Sequence, residues 1–192
     1  RVIMQIVSLS GGFTDHSKQS ATAFRLMLQA MARPGQIYRI SGVLPPQPMS
    51  VAMAVILLTL CDQDNSVYVA PTYQNETVEQ WLTFHTAVSF ADPQHANFAI
   101  GSWDELAAVD GFAYGDDQYP ELSTTLICEL PALESGNLRI TGPGIATENW
   151  LNLKDDASSL RRPELFPRGV DMFLTAGDQM WAIPRSAKLE VC

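Results

Sequence analysis

Ser50-Val-Ala-Met-Ala-Val-Ile-Leu-Leu-Thr-Leu-Cys61 is apolar around its whole circumference. Ser50 stands where it caps the first turn of a helix, and Pro45-Pro46-Gln47-Pro48 forms a stiff entry. A helix without a polar face has to be covered on more than one side, so this one is predicted to lie sandwiched between other layers. The apolar run Val51–Cys61 is about half of the roughly 20 residues that span a bilayer, which assigns it to a protein core.

Downstream, Asp62-Gln-Asp-Asn-Ser66 reads as a turn and Val67-Tyr-Val69 as a buried strand. Asn75 caps a further helix in which Val78, Trp81, Leu82 and His85 share a face. Asn97–Ile100 is a strand, and Ser102 caps a short helix that runs through Leu106 to Val109. Asp110–Glu121 is acidic and weakly periodic, hence an exposed loop. Upstream, Ser20 or Thr22 caps a helix to about Ala32, with Phe24, Met27, Leu28 and Met31 on one face. Pro34-Gly35 ends that helix, and Gln36–Ile40 follows as a short strand.

After Glu121 the pattern turns to strands. Thr124–Leu130 and Leu138–Thr141 flank Glu134-Ser-Gly-Asn137, which has hairpin turn chemistry. A helix is expected between Asn149 and Leu165, then strands at Val170–Thr175 and Met180–Ile183 around a Gly177-Asp178 turn. Early alternation of helix and strand with a hairpin-rich end implies a layered α/β fold, a mixed sheet covered by helices, over residues 1–192 as one domain.

Composition bounds the function. The chain has 192 residues and twelve Lys and Arg against twenty-one Asp and Glu, a formal charge of -9, so its average field repels nucleic acid and anionic membrane. Cys61, Cys128 and Cys192 are odd in number and far apart, which suggests neither a disulfide framework nor a zinc ribbon and fits a reducing, cytoplasmic setting. Arg1-Val-Ile-Met-Gln-Ile-Val7 has an apolar stretch shorter than the roughly 7–15 residues of a signal-peptide core, and no export signal is expected.

Two patterns bear on anion binding. Leu138-Arg-Ile-Thr-Gly-Pro-Gly-Ile145 runs a strand into Gly142 and Gly144, which let backbone N–H groups approach an anion. It is not a complete phosphate motif, since Pro143 removes a donor, and a tight turn leaving a strand is the reading it favours. Arg139, Arg161, Arg162, Arg168 and Arg185 crowd the last third, where Arg suits bidentate contacts to phosphate or phosphonate. Arginines that pair with surface carboxylates or an acidic partner would look the same. The candidate anion site is therefore Arg139, Gly142, Gly144, Arg168 and Arg185.

Other chemistries find little support. His16, His85 and His95 lack the helical spacing of metal ligands, and no G-x-S-x-G is present. His85 beside Trp81 and Leu82 reads as a core histidine before it reads as a general base. Lys18, Lys154 and Lys188 have no setting that suggests a pyridoxal-phosphate Schiff base. No catalytic residue and no metal site is assigned.

Further stretches join these: Phe24-Arg-Leu-Met-Leu-Gln-Ala-Met31 with Pro34-Gly35, Leu57-Leu-Thr-Leu60 with Asp62 and Asp64, and Phe84-His-Thr86. They continue with the segment Leu138–Ile145, Phe166-Pro-Arg-Gly-Val-Asp171, Ala182-Ile-Pro-Arg185 and Glu190-Val-Cys192. In this order and spacing the chain from Phe24 onward resembles the H-subunit family of bacterial carbon–phosphorus lyase, while Arg1–Phe13 does not match and is divergent or appended.

The resemblance implies a fold similar to the large domain of pyridoxal-phosphate-dependent transferases, without the cofactor. It implies a homodimer when isolated and partnership with the G, I and J subunits in a core complex. That complex displaces adenine from MgATP with an alkylphosphonate, ATP and Mg being substrates of the complex. The chain lacks a cysteine cluster for the iron–sulfur centre of the later bond-cleaving step. Three functions are carried forward: a structural docking subunit, a nucleotide- or phosphonate-binding module, and a free-standing hydrolase using His85 with Asp62 or Asp64.

Overall fold

The computed structural model describes residues 9–154 and 160–192. The apolar stretch forms helix α2 (Val51–Leu60), with Ser50 accepting the Met53 N–H at its start; helix α1 (His16–Ala32) precedes it. Strand β1 (Tyr38–Arg39) lies between the two helices, and β2 (Ser66–Val69) follows α2. Next come α3 (Glu76–Thr86), β3 (Ser89–Phe90), β4 (Phe98–Ser102), α4 (Trp103–Ala107) and β5 (Thr125–Glu129). The chain continues with β6 (Leu138–Thr141), β7 (Asn149–Leu151), β8 (Asp171–Ala176), β9 (Gln179–Ile183) and β10 (Lys188–Val191).

Among the described residues the strands form two sheets. The larger has the order β1-β9-β8-β5-β4-β2-β3, parallel from β3 through β8 and antiparallel at β9 and β1. The smaller, β10-β6-β7, is antiparallel throughout.

Side chains alternate across the larger sheet, as the pleat requires. Ile100, Ile127 and Phe173 face one core, which they share with α1, α2 and α3. Ala99, Leu126 and Met172 face a second core, shared with α4 and the small sheet through Trp103, Leu138 and Leu151. The expected layered α/β architecture is present: helices on one face, helix and small sheet on the other. Seven consecutive residues of α2, Ala52 through Leu58, are buried, which is why this helix has no polar side. Each fully buried large aliphatic side chain there contributes about 1.5–3 kcal/mol.

Four local expectations are corrected. Thr124–Leu130 and Leu138–Thr141 do not form a hairpin, because β5 pairs with β4 and β8 while β6 pairs with β7 and β10. Leu126, Ile127 and Cys128 are all buried, as in a central parallel strand, whereas β6 buries only alternate residues, so the two belong to different layers. Asn149–Leu151 is strand rather than helix: Leu151 and Leu153 are buried at a period of two, and Pro163–Leu165 is a short 3-10 turn. Of the rest of that expected helix, Leu160 and Arg161 are helical, and residues 155–159 lie outside the described residues.

Helix α1 starts at His16 with Asp15 as its cap, and its buried face is Ala23, Met27 and Ala30. Small residues let α1 lie close to α2, which leaves Phe24 and Leu28 exposed. Finally, Lys188–Val191 forms a strand that pairing alone reveals, since Glu190 and Val191 are exposed.

Candidate functional site

The candidate anion residues do not share one cavity wall. Arg139 sits on β6 directly across from Glu190 on β10, to which its guanidinium is hydrogen-bonded, and Glu148 lies 3.5 Å away. The hydrogen bond to Glu190 pushes the Arg139 guanidinium up from its ordinary value, and the same contact holds the Glu190 carboxyl below its own. Gly142 and Gly144 have φ of 134° and 82°, in the region that favours glycine. A Cβ on Gly144 would stand 1.9 Å from the Ala32 carbonyl oxygen, so the close approach this glycine permits is to the end of α1.

Arg185 is engaged on every side. Its Nη2 and Nε donate to Asp171 Oδ2 at 2.6 and 3.1 Å, Nη1 donates to the Pro120 carbonyl at 2.6 Å, and Nη2 also reaches Ser123 Oγ at 2.8 Å. Arg168 Nε lies 3.2 Å from Asp117 Oδ1, an ion pair without hydrogen-bond alignment. Arg162 stands over the Tyr114 ring, 5.3 Å to its centroid, and 3.8 Å from Asp110.

Arg162, Arg168 and Arg185 thus fasten one loop, residues 110–123. Arg161 is buried beneath them and donates to the carbonyls of Pro184, Arg185 and Ala187; burial pushes its guanidinium down to about 10, with Asp171 opposing.

The other sequence candidates also sit in structural contacts. His85 Nε2 is 3.0 Å from the Leu9 carbonyl and its ring packs on Trp81 at 4.6 Å; burial lowers its pKa, opposed by the Leu9 contact. Asp62 accepts the Asp64 N–H inside their turn. Among the described residues no group of three or more His, Cys, Asp or Glu is placed to hold a metal ion, and no helix is long and apolar enough to cross a membrane.

The feature that sequence reading missed lies at the carboxyl ends of the parallel strands. The strand sequence reverses direction across the sheet between β2 and β4, since β3 lies on one side of β2 and β4 on the other. Open parallel sheets bind ligands at such ends. Here Glu105 of α4 spans the reversal, accepting the Thr72 N–H at 2.8 Å and the Ser102 N–H and hydroxyl at 3.2 and 2.8 Å. Burial works against its ionisation, but these hydrogen bonds outweigh it and hold the carboxyl below the usual glutamate value. Tyr73 beside it is pushed up, by burial first and then by Glu129 and Glu105.

One strand further along, between the ends of β4 and β5 and the small sheet, is a cleft of about 340 Å³. Its polar lining includes Asp104, Glu129, Glu134 and Lys154, with Trp103 and Leu130 as apolar wall. Lys154 Nζ is 2.9 Å from Asp104, and the Lys154 carbonyl accepts the Trp103 indole N–H at 3.0 Å. Glu129 accepts the Ser50 hydroxyl at 2.7 Å and the Thr175 hydroxyl, joining the start of α2 to the end of β8. These residues come from distant segments with no motif among them. The only sequence signal is a polar residue, Ser102 or Glu129, closing each apolar strand.

A family model described as "Bacterial phosphonate metabolism protein (PhnH)" matches residues 11–190. The chain is similar to the "Alpha-D-ribose 1-methylphosphonate 5-triphosphate synthase subunit PhnH" of Rhizobium meliloti (strain 1021), with 36% identity over 193 residues, 94% of this chain and 95% of that one. It is also similar to the "Putative C-P lyase subunit protein HtxG" of Stutzerimonas stutzeri, with 25% identity over 176 residues, 88% and 85% of the two chains.

Proposed function

Because the chain belongs to the PhnH family of bacterial phosphonate metabolism proteins, a subunit of the carbon–phosphorus lyase pathway, we propose that it serves there as a non-catalytic docking subunit. The step it supports is transfer of an alkylphosphonate onto the ribose of MgATP with loss of adenine, the product being the ribose 1-methylphosphonate 5-triphosphate in the name of the Rhizobium relative. Its partners are the G, I and J subunits, it is a homodimer when isolated, and it works in the cytoplasm as one domain. The fold is read as that of the pyridoxal-phosphate transferase large domain without the cofactor, in keeping with three lysines of which Lys18 and Lys154 are in exposed ion pairs.

The observation that carries this reading is the occupation of the arginines. Arg139 is held by Glu190 and Glu148, Arg168 by Asp117 and Arg185 by Asp171, so each cation that phosphate would need is already paired within the chain. Opening the largely covered Arg185–Asp171 pair for a ligand costs the hydrogen bonds already made, about 1.5–3 kcal/mol for each one to a charged group. Exposed apolar residues such as Phe24, Leu28 and Phe84 supply contact area for partners. The second reading, a nucleotide- or phosphonate-binding module, requires Arg139, Arg168 or Arg185 to release its carboxylate, with Gly142 and Gly144 supplying backbone N–H groups.

Calorimetric titration with ATP and methylphosphonate, on the purified chain and then on the reconstituted complex, distinguishes them. Docking predicts heat only with the complex. Saturable binding by the chain alone selects the binding module.

A further inference from the structure

Helices α1 and α3 lie on the same face of the larger sheet and bury Ala23, Met27 and Ala30 of the one and Val78, Trp81 and Leu82 of the other in a single core. Each also has an exposed outer side. On α1 the exposed residues Ala21, Phe24, Leu28 and Ala32 recur at intervals of three and four, so this helix is apolar on both sides, whereas a surface helix ordinarily keeps one side polar. On α3, Thr83 and Phe84 are exposed. Leu44 donates its N–H to the Gly11 carbonyl, next to the Ser10 carbonyl that accepts the Trp81 indole N–H of α3. Phe24, Leu28, Leu44 and Phe84 are 45%, 53%, 80% and 62% exposed and leave about 400 Å² of apolar area in water, roughly half of what one side of a stable interface covers.

The charges on the two helices are opposite. Between His16 and Ala32, α1 has Lys18 and Arg25 and no acidic residue, and Arg33 caps its end. Asp15 takes Lys18, while Arg25 and Arg33 are exposed and hold no ion pair among the described residues. Helix α3 has Glu76 and Glu79 in its first turn and no Lys or Arg. One face of the molecule thus offers a basic apolar helix and an acidic apolar helix, and its complement is the same face turned about a twofold axis. In a chain of formal charge -9, two copies repel on average, and laying α1 on the other copy's α3 sets opposite charges against each other.

We infer that two copies of the chain associate through this helical face, α1 of each against α3 of the other. The inference rests on the homodimer reading above and gives that dimer its surface. Both α1–α3 contacts form by one operation, so a substitution in either helix is felt twice.

The test is sedimentation equilibrium of the isolated full chain at physiological salt, for the wild type, Arg25→Glu, Glu79→Lys, the double variant carrying both, Phe24→Ser and Leu122→Ser. Leu122, an exposed apolar residue of the loop 110–123, is the control. Arg25→Glu, Glu79→Lys and Phe24→Ser are each expected to weaken the dimer by about tenfold or more, and Leu122→Ser by under about twofold. The charge-exchanged double variant should recover most of what either single change loses. Unchanged circular dichroism assigns the losses to association rather than folding.

A monomeric wild type overturns the homodimer reading, and the face with it. A dimer that keeps its affinity in Phe24→Ser and in both charge reversals overturns the face and leaves the homodimer reading standing. Loss in both single charge variants without recovery in the double overturns the placement of α1 on α3. An intact dimer whose variants instead fail to assemble with the G, I and J subunits assigns the face to a partner subunit and overturns the second-copy assignment.

Discussion

Arg185 and Asp171 face each other from the ends of adjacent strands: the arginine's own backbone N–H and two of its guanidinium nitrogens all donate to the one carboxylate, the closest at 2.6 Å. The remaining guanidinium donors reach Pro120 and Ser123, tying the acidic loop to the edge of β8 and β9. Both side chains are largely covered, 19% and 25% exposed, so screening by water is limited.

Arg185→Ala is therefore expected to destabilise the protein by about 2–4 kcal/mol, somewhat under the roughly 3–5 kcal/mol for breaking a fully buried pair. Arg185→Lys should recover little, because an ammonium lacks the planar fork that meets three partners at once. Urea unfolding midpoints measure both. An unchanged midpoint in Arg185→Ala would show that the guanidinium is not structural.

Glu105 gives a pH dependence of defined sign. Its carboxyl titrates below the ordinary value of 4.5 in the folded protein, so the ionised form is the one folding favours. Its contribution is present above about pH 4.5 and disappears as the pH falls through the depressed folded value. Glu105→Gln removes the charge and one of the two accepting oxygens, setting an amide NH2 against either the Thr72 or the Ser102 N–H. The difference in melting temperature between wild type and Glu105→Gln should be larger at about pH 7 than at about pH 3. A constant difference would mean that the charge is irrelevant to the strand reversal it spans.

The helices were readable because their caps and apolar runs are local. Ser50, Asn75 and Ser102 cap where expected, and α2 is buried as an all-apolar helix must be. What the sequence did not reveal depends on partners distant along the chain. Turn chemistry at Glu134–Asn137 suggested a hairpin, yet whether β5 or β6 accepts a given neighbour is decided by which layer its buried faces meet. Of the expected Phe24, Met27, Leu28 and Met31 face of α1, Met27 is buried with Ala23 and Ala30, while Phe24 and Leu28 are exposed. Clustering of arginines was visible in sequence, but not the carboxylates that hold them, since Asp117 and Asp171 come from other loops and strands. The cleft was hidden for the same reason, being assembled from β4, β5 and the small sheet.

Gly144 carries a steric prediction. With φ at 82° and the Ala32 carbonyl in the space a Cβ would take, Gly144→Ala has to displace either its own loop or the end of α1. The expected cost is about 1–3 kcal/mol, the range for backbone forced from a sparsely populated region, and chemical denaturation of the purified variant measures it. A neutral effect would mean that the loop shifts freely and would return Gly142 and Gly144 to consideration as anion-approach residues.

Whether this subunit docks or binds is decided at Arg168, whose partner Asp117 is an exposed residue of the acidic loop. The decisive measurement is gel filtration and ATP or methylphosphonate titration on one reconstituted sample carrying Arg168→Ala. Loss of the pair frees the loop, so assembly should weaken while affinity per assembled complex stays level. Normal assembly with a roughly tenfold or greater loss of ligand affinity, equivalent to about 1.4 kcal/mol, would contradict the docking function and establish Arg168 as a ligand contact.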